Sequence, residues 1–365
     1  MVEQLLNKID TGKIVSDIKN LYTHLLGGGF AELARTPSTV IRDEPHCTVR
    51  RYTAVGDPDP TALPVLLVPP LGAPATALDL RQGCSLAEFF VEQNRPTYLV
   101  DYGDVSTQVD ADLGLENWIE NVIPAAVGAV SEDNDGADVQ LIGWSLGGIM
   151  AVFTQAADND LPIGGIAGVG SPFDFSKLNL FEPIRIASHL TGGKIAPQLI
   201  RVIGGVPGRM NTFGFKFADP LRLVQKPKFV LKNRDRPDVL AQIEAVDALM
   251  DTMEAYPGKT VAQMYKSFIT KNQIAEGTLK LGDRTVSLSG VTVPVMNIAG
   301  DADEIFGPRD AVYHLAKLVP NAPRVRMETA HGGHMGVLAG SGARDSTWKY
   351  LNEFLKENDQ DYLAA

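Results

Sequence analysis

A serine flanked by glycines is the first place in this 365-residue chain where chemistry could start. Gly143-Trp144-Ser145-Leu146-Gly147-Gly148 follows the apolar run Val139-Gln140-Leu141-Ile142 and leads at once into Ile149-Met150-Ala151-Val152-Phe153. Strand, sharp turn, helix is the context in which G-x-S-x-G holds a hydroxyl above the edge of a sheet. A Cβ two residues before or after the serine would clash across so tight a junction, so glycine belongs there. The backbone N–H of Leu146, at the start of the helix, would face a developing oxyanion. A candidate nucleophile at Ser145 is the result, and Trp144 beside it is a candidate substrate contact.

A serine hydroxyl needs a base, and the base needs a partner to orient it. In this context the order along the chain should be serine, acid, histidine. Residues 293–299 read as a strand that runs into Gly300-Asp301-Ala302-Asp303-Glu304-Ile305. Three carboxylates compete there. The spacing favours Asp303, and Asp301 and Glu304 read as solvated loop carboxylates. The next strand, 325–328, enters Thr329-Ala330-His331-Gly332-Gly333-His334-Met335-Gly336. Its glycines let an imidazole approach without backbone clash. His334, with small and apolar residues after it, is the expected base, and His331 is expected to line the site. His24, His46, His189 and His314 lack a strand-end context and read as structural or exposed. A second oxyanion donor should come from the loop after the third strand, Val68-Pro69-Pro70-Leu71. Proline has no N–H, so the backbone of Leu71 is the first that can donate.

Elements that could position these residues are visible as short apolar runs at 47–53, 65–68, 97–101, 139–143, 165–170, 293–299 and 325–328. Helical patterns at 85–93, 115–130 and 147–156 lie between them. Near-continuous apolar strands alternating with helices imply an α/β fold, a mostly parallel sheet covered on both faces. The expected core is 46–171 with 289–365. The alternation fails over 172–288, which carries helical pattern at 239–256 and the break Gly204-Gly205-Val206-Pro207-Gly208. This stretch reads as a helical cap over the carboxyl edge of the sheet, where ligands of open α/β sheets bind. Residues 1–45 read as an N-terminal helical segment, from Leu5, Ile9, Ile14, Ile18, Leu21 and Leu25. That segment would pack on the core, or serve as a homodimer or membrane-surface contact, the last disfavoured because its face is not especially basic.

Composition narrows the function. Hydrophobic residues at 44% and charged ones at 21% suit a globular protein with a sizeable core. A net charge of −11 disfavours binding nucleic acid. The charge is uneven: residues 184–236 hold eleven Lys/Arg and two acidic residues, +9, which leaves −20 for the rest. A basic cap on an acidic body would attract an anionic substrate, unless those charges are simply solvated. Cys47 and Cys84 have no CxxC spacing and no histidine cluster, so neither a zinc site nor a disulfide framework is expected. No secretory signal and no apolar run of spanning length is evident, which points to the cytoplasm.

Several segments in register carry a resemblance. They are Pro64-Val65-Leu66-Leu67-Val68-Pro69-Pro70-Leu71, Leu78-Asp79-Leu80-Arg81, Phe89-Phe90-Val91-Glu92-Gln93, Leu99-Val100-Asp101-Tyr102-Gly103, the elbow, the stretch 272–288 and Gly333-His334-Met335-Gly336-Val337. Over about 60–345 the chain resembles the polyhydroxyalkanoate synthase branch of the α/β-hydrolases. The resemblance implies the α/β-hydrolase fold, Ser145 as nucleophile, Asp303 as acid and His334 as base. It also implies an acyl- or hydroxyacyl-CoA thioester as donor, with no cofactor. One departure matters: the synthases usually carry cysteine where this chain has Ser145. A serine forms an oxyester that water or an alcohol can cleave, whereas a thiolate suits repeated thioester exchange. The expectation is therefore a hydrolase or acyltransferase acting on a small-molecule acyl ester or acyl-CoA. A polymerising synthase and a non-catalytic binding protein on a hydrolase fold are the alternatives.

Overall fold

In the computed structural model the chain opens the main sheet with β1 (Ser38–Glu44), and the apolar runs become strands β2 (Cys47–Tyr52), β3 (Val65–Val68), β4 (Thr97–Asp101), β5 (Val139–Trp144) and β6 (Ile163–Val169). Two small pairs follow, β7 (Gly205–Val206) with β8 (Tyr256–Pro257) and β9 (Thr278–Leu281) with β10 (Arg284–Ser287). Strands β11 (Val295–Gly300) and β12 (Val325–Ala330) complete the main sheet. The structure describes residues 29–364 apart from 34, 107, 191–203, 219 and 341, together with 16, 17, 19, 20 and 23. The positions that carry the N-terminal helical pattern, Leu5, Ile9, Ile14, Ile18, Leu21 and Leu25, lie outside the described residues.

The main sheet has eight strands in the order β1-β2-β4-β3-β5-β6-β11-β12. β1 and β2 run antiparallel at one edge, and β3 to β6, β11 and β12 pair in parallel. All residues of β3, β5 and β11 are buried. Alternation along β3 shows why: Leu66 and Val68 join one apolar cluster with Trp118 and Phe153, and Val65 and Leu67 join the other with Phe90 and Trp348. A strand buried on both faces reads as a near-continuous apolar run, and the polar residues that interrupt β5 and β11 are bonded: Gln140 Nε2 donates to Asp359 Oδ1 at 2.9 Å and Asn297 Nδ2 to the Ser171 carbonyl at 2.8 Å.

Helices cover the two faces: α1 (Leu86–Glu92), α2 (Ile123–Glu132) and α3 (Leu146–Ala157). From β3 the chain goes outward to β4, then crosses back to β5 on the other side of β3. The winding direction reverses there, so a crevice opens at the carboxyl ends of β3 and β5. Ser145 follows β5, and the Pro69–Leu71 loop follows β3.

Between β6 and β11 lie α4 (Glu182–Leu190), α5 (Gly208–Ala218), α6 (Pro220–Lys232), α7 (Pro237–Asp251) and α8 (Gly258–Met264). The expected cap, 172–288, is not uniform. Phe268, Ile274, Leu279, Leu281, Val286 and Leu288 are members of the main core cluster, so its later part is a layer of the core. One further difference concerns residues 1–45. Residues 38–44, expected within a helical segment, are strand β1, whose pattern is half exposed because it lies at the sheet edge. Among the described residues no helix is long and apolar enough to cross a membrane.

Candidate active site

Ser145 is the residue between β5 and α3, and its backbone is at φ 53°, ψ −120°. A non-glycine residue held there costs on the order of 1–3 kcal/mol, so the surroundings must fix it. They do so closely. Its N–H donates to the Val169 carbonyl at 2.8 Å, which ties the turn to β6. A Cβ on Gly143 would lie 2.3 Å from the Gly148 nitrogen, and one on Gly147 would lie 2.2 Å from the Val68 carbonyl oxygen. The same contact shows that the end of β3 runs directly against the start of α3, which brings the Leu71 loop to the elbow. Leu146 opens α3, so its N–H has no acceptor within the helix.

Asp303 and His334 meet on the neighbouring loops. Asp303 Oδ2 lies 2.6 Å from His334 Nδ1, and the side chains are 2% and 10% exposed. Asp303 Oδ1 accepts the Phe306 N–H at 3.1 Å. Burial alone would push this carboxyl up. The adjacent His334 and the N–H groups of Gly307 and Phe306 outweigh that, so it is held below the ordinary carboxylate range. The imidazole is fixed on several sides. It lies 5.4 Å centroid to centroid from Trp144 and 5.3 Å from Phe306. Trp144 Nε1–H also donates to the His334 carbonyl at 3.3 Å. Gly170, at φ 62°, has no side chain, and a Cβ there would stand 3.2 Å from His334 Cε1. Gly170 follows Val169, whose carbonyl holds Ser145, so the imidazole and the elbow share one support.

Asp301 does something other than expected. Its Oδ1 accepts the Gly332 N–H at 2.9 Å, and its Oδ2 lies 3.0 Å from His331 Nδ1. Together with the Ala302 N–H on the Gly332 carbonyl at 3.1 Å, this fastens the acid loop to the histidine loop. His331 is corrected in turn. Its side chain is 82% exposed and faces Asp301, outside the cavity that His334 lines. Of the two histidines on this loop, His331 pairs with Asp301 and His334 with Asp303.

A cavity of about 870 Å³ reaches Trp144, Asp303 and His334 on the core side. Its other wall is α7 and the residues after it, with Val239, Val246, Met250 and Met253. Glu304 also lines it, and so does Cys84. The Cys84 thiol is pushed up by burial and donates to the Ala339 carbonyl at 3.1 Å, so it is no thiolate nucleophile. The basic residues of the cap are partly engaged. Lys226 pairs with Asp247, Arg234 with Asp17 at 2.8 Å, and Arg185 donates to the Phe175 carbonyl at 2.9 Å. The roles of Asp301, Phe306 and Gly170 were not legible beforehand, because each acts on a residue distant in sequence or through its backbone.

Comparison with known proteins adds to this geometry. Residues 238–359 match the family described as PHB de-polymerase C-terminus. The chain is 24% identical to the poly(3-hydroxyalkanoate) polymerase subunit PhaC of Thiocystis violacea, over 92% of this chain and 95% of that one. It is also 24% identical to the protein of the same name from Synechocystis sp., over 92% of this chain and 88% of the other. The monoacylglycerol lipase of Paleococcus ferrophilus superposes with a TM-score of 0.54 at 16% identity, covering 86% of this chain and 99% of the lipase. The chain has the α/β-hydrolase fold and is similar to the polyhydroxyalkanoate synthases. Its elbow carries a serine. An arrangement of a strained serine, a helix N-terminus and a buried Asp–His pair is equipped to form and break an acyl bond.

Proposed function

We propose that the protein is a serine-dependent acyl-transfer enzyme. In this reading Ser145 attacks the carbonyl of an acyl ester or an acyl- or hydroxyacyl-CoA thioester, and His334 Nε2 takes the hydroxyl proton. Asp303 fixes the imidazole tautomer and stabilises the imidazolium. The N–H groups of Leu146 and Leu71 hold the oxyanion, and His334 returns the proton to the leaving alcohol or thiol. Water or a second alcohol then attacks the Ser145 oxyester, and the enzyme is regenerated. The observation that carries the reading is the buried 2.6 Å contact between Asp303 and His334, set against the same backbone that holds the strained Ser145. Two free, buried cysteines suit a reducing compartment such as the cytoplasm, where the reading places the protein.

A second reading is favoured by the relatives, which are named as polymerases across nine-tenths of this chain. In it the acceptor would be the hydroxyl of a growing polyester rather than water. One experiment separates the two. The purified protein is incubated with a 3-hydroxyacyl-CoA, and free CoA, free acid and polymer are measured. Free acid equal to CoA released supports single-turn transfer to water. Polymer supports the synthase reading. Absence of CoA release, with a panel of p-nitrophenyl esters also untouched, would remove acyl transfer altogether.

A further inference from the structure

The loop that would supply the second oxyanion donor is gripped from two sides, and one grip comes from the cap. On the core side, the Tyr102 hydroxyl donates to the Pro69 carbonyl at 3.1 Å. On the other side, the Gly72 carbonyl accepts the Asn211 side-chain amide at 2.8 Å and the Glu254 N–H at 3.0 Å. The same amide nitrogen donates to the Glu254 carbonyl at 2.8 Å, so both of its protons are committed. Asn211 is 8% exposed, and its own N–H is bonded to the Pro207 carbonyl at 3.0 Å near the start of α5. Gly72 sits at φ 80°, and a Cβ there would lie 2.1 Å from the Tyr256 ring. The N–H of Leu71 lies between the two gripped carbonyls, next to a proline whose φ is fixed.

We propose that Asn211 is a positioning residue: by holding the Gly72 carbonyl to residue 254 of the cap, it aims the Leu71 N–H at the oxyanion. The inference rests on the reading of Ser145 and Leu71 given above. It makes the cap part of the catalytic geometry as well as the wall of the cavity. A donor aimed at an oxyanion stabilises the transition state more than the bound substrate, so its displacement is felt in kcat rather than KM. Asn211 touches no reacting atom and acts only through the loop.

Asn211→Leu has nearly the same size and donates nothing. Three quantities are compared with the parent: the rate of labelling by a fluorophosphonate, kcat and KM for a p-nitrophenyl ester, and the thermal midpoint. Labelling and kcat are expected to fall about 10- to 100-fold, with KM within about twofold. Should the leucine variant fail to fold, Asn211→Asp serves in its place. Its carboxyl is isosteric and, once protonated, donates one of the two bonds. Its activity relative to the parent is then expected to rise toward low pH. An unchanged labelling rate, a flat relative pH profile for the aspartate variant, or a loss carried entirely by KM overturns the inference. A parent that the probe does not label at Ser145 removes the underlying reading, and the inference falls with it. The two failures are therefore distinct.

Discussion

Ser145, Asp303 and His334 follow the buried ends of β5, β11 and β12, whereas the cap helices α4 to α6 carry exposed apolar side chains. Every residue of β5 and β11 is buried, and the glycines around the elbow admit no Cβ. In the cap, Ile186, Met210 and Leu231 are 55%, 58% and 54% exposed. A dense core tolerates little displacement, while sparsely packed helices can adjust. On the proposed function, chemistry would belong to the sheet edge and selection among acyl groups to the cap. The contact through Asn211 is where the two meet.

Breaking the sheet side should cost most. Ser145→Ala is expected to lower kcat about 10⁴-fold or more with the fold intact, checked by turnover and circular dichroism. Asp303→Asn should lower kcat about 10²- to 10⁴-fold, because the imidazole loses its orienting carboxylate. The same residue gives a pH test. Its folded-state pKa is depressed, so the stability it contributes is present above the unfolded carboxylate pKa of about 3.9 and is lost as pH falls through the folded value. The parent should thus lose thermal midpoint below about pH 4 more steeply than Asp303→Asn.

The elbow and the cap should show smaller effects. Gly147→Ala forces a Cβ to 2.2 Å from the Val68 carbonyl oxygen and should destabilise by about 2–4 kcal/mol in urea titrations. Met253→Ala enlarges the cap wall and should shift the preferred acyl length, with kcat/KM ratios between neighbouring chain lengths moving about 10-fold. An unaltered chain-length profile would contradict the division between chemistry and selection. His331→Ala should change kcat by less than about twofold, since its ring faces Asp301 in solvent.

The sequence made the buried half of this molecule readable and the half-exposed half obscure. Val65–Val68 has no polar position to interrupt it, and Thr97–Asp101 has its Thr and Asp only at the ends, because both faces of these strands are covered. The elbow is equally legible, since G-x-S-x-G states a steric requirement that the backbone contacts of Gly143 and Gly147 repeat. β1, Ser-Thr-Val-Ile-Arg-Asp-Glu, hid as a strand because an edge strand carries polar residues on its open side. The hairpin of β9 and β10 hid inside a region read as cap, although Leu279, Leu281 and Val286 alternate inward. Spacing cannot tell which of two histidines in one loop meets the acid, so the expectation that His331 lines the site fails: it pairs with Asp301 and lies outside the cavity lining. Asp301 and Asn211 act through backbone atoms of residues 31 and 139 positions distant, and no local pattern reports such a bond.

The central claim is that Ser145 accepts an acyl group. The direct measurement is mass spectrometry, of the intact protein and of its digest, after rapid mixing with a short 3-hydroxyacyl-CoA, on the parent and on Ser145→Ala. The account predicts a mass increase of one hydroxyacyl group on the peptide that contains Ser145, absent from the alanine protein. An equal adduct on both proteins, or CoA release by Ser145→Ala at the parent's rate, would contradict it.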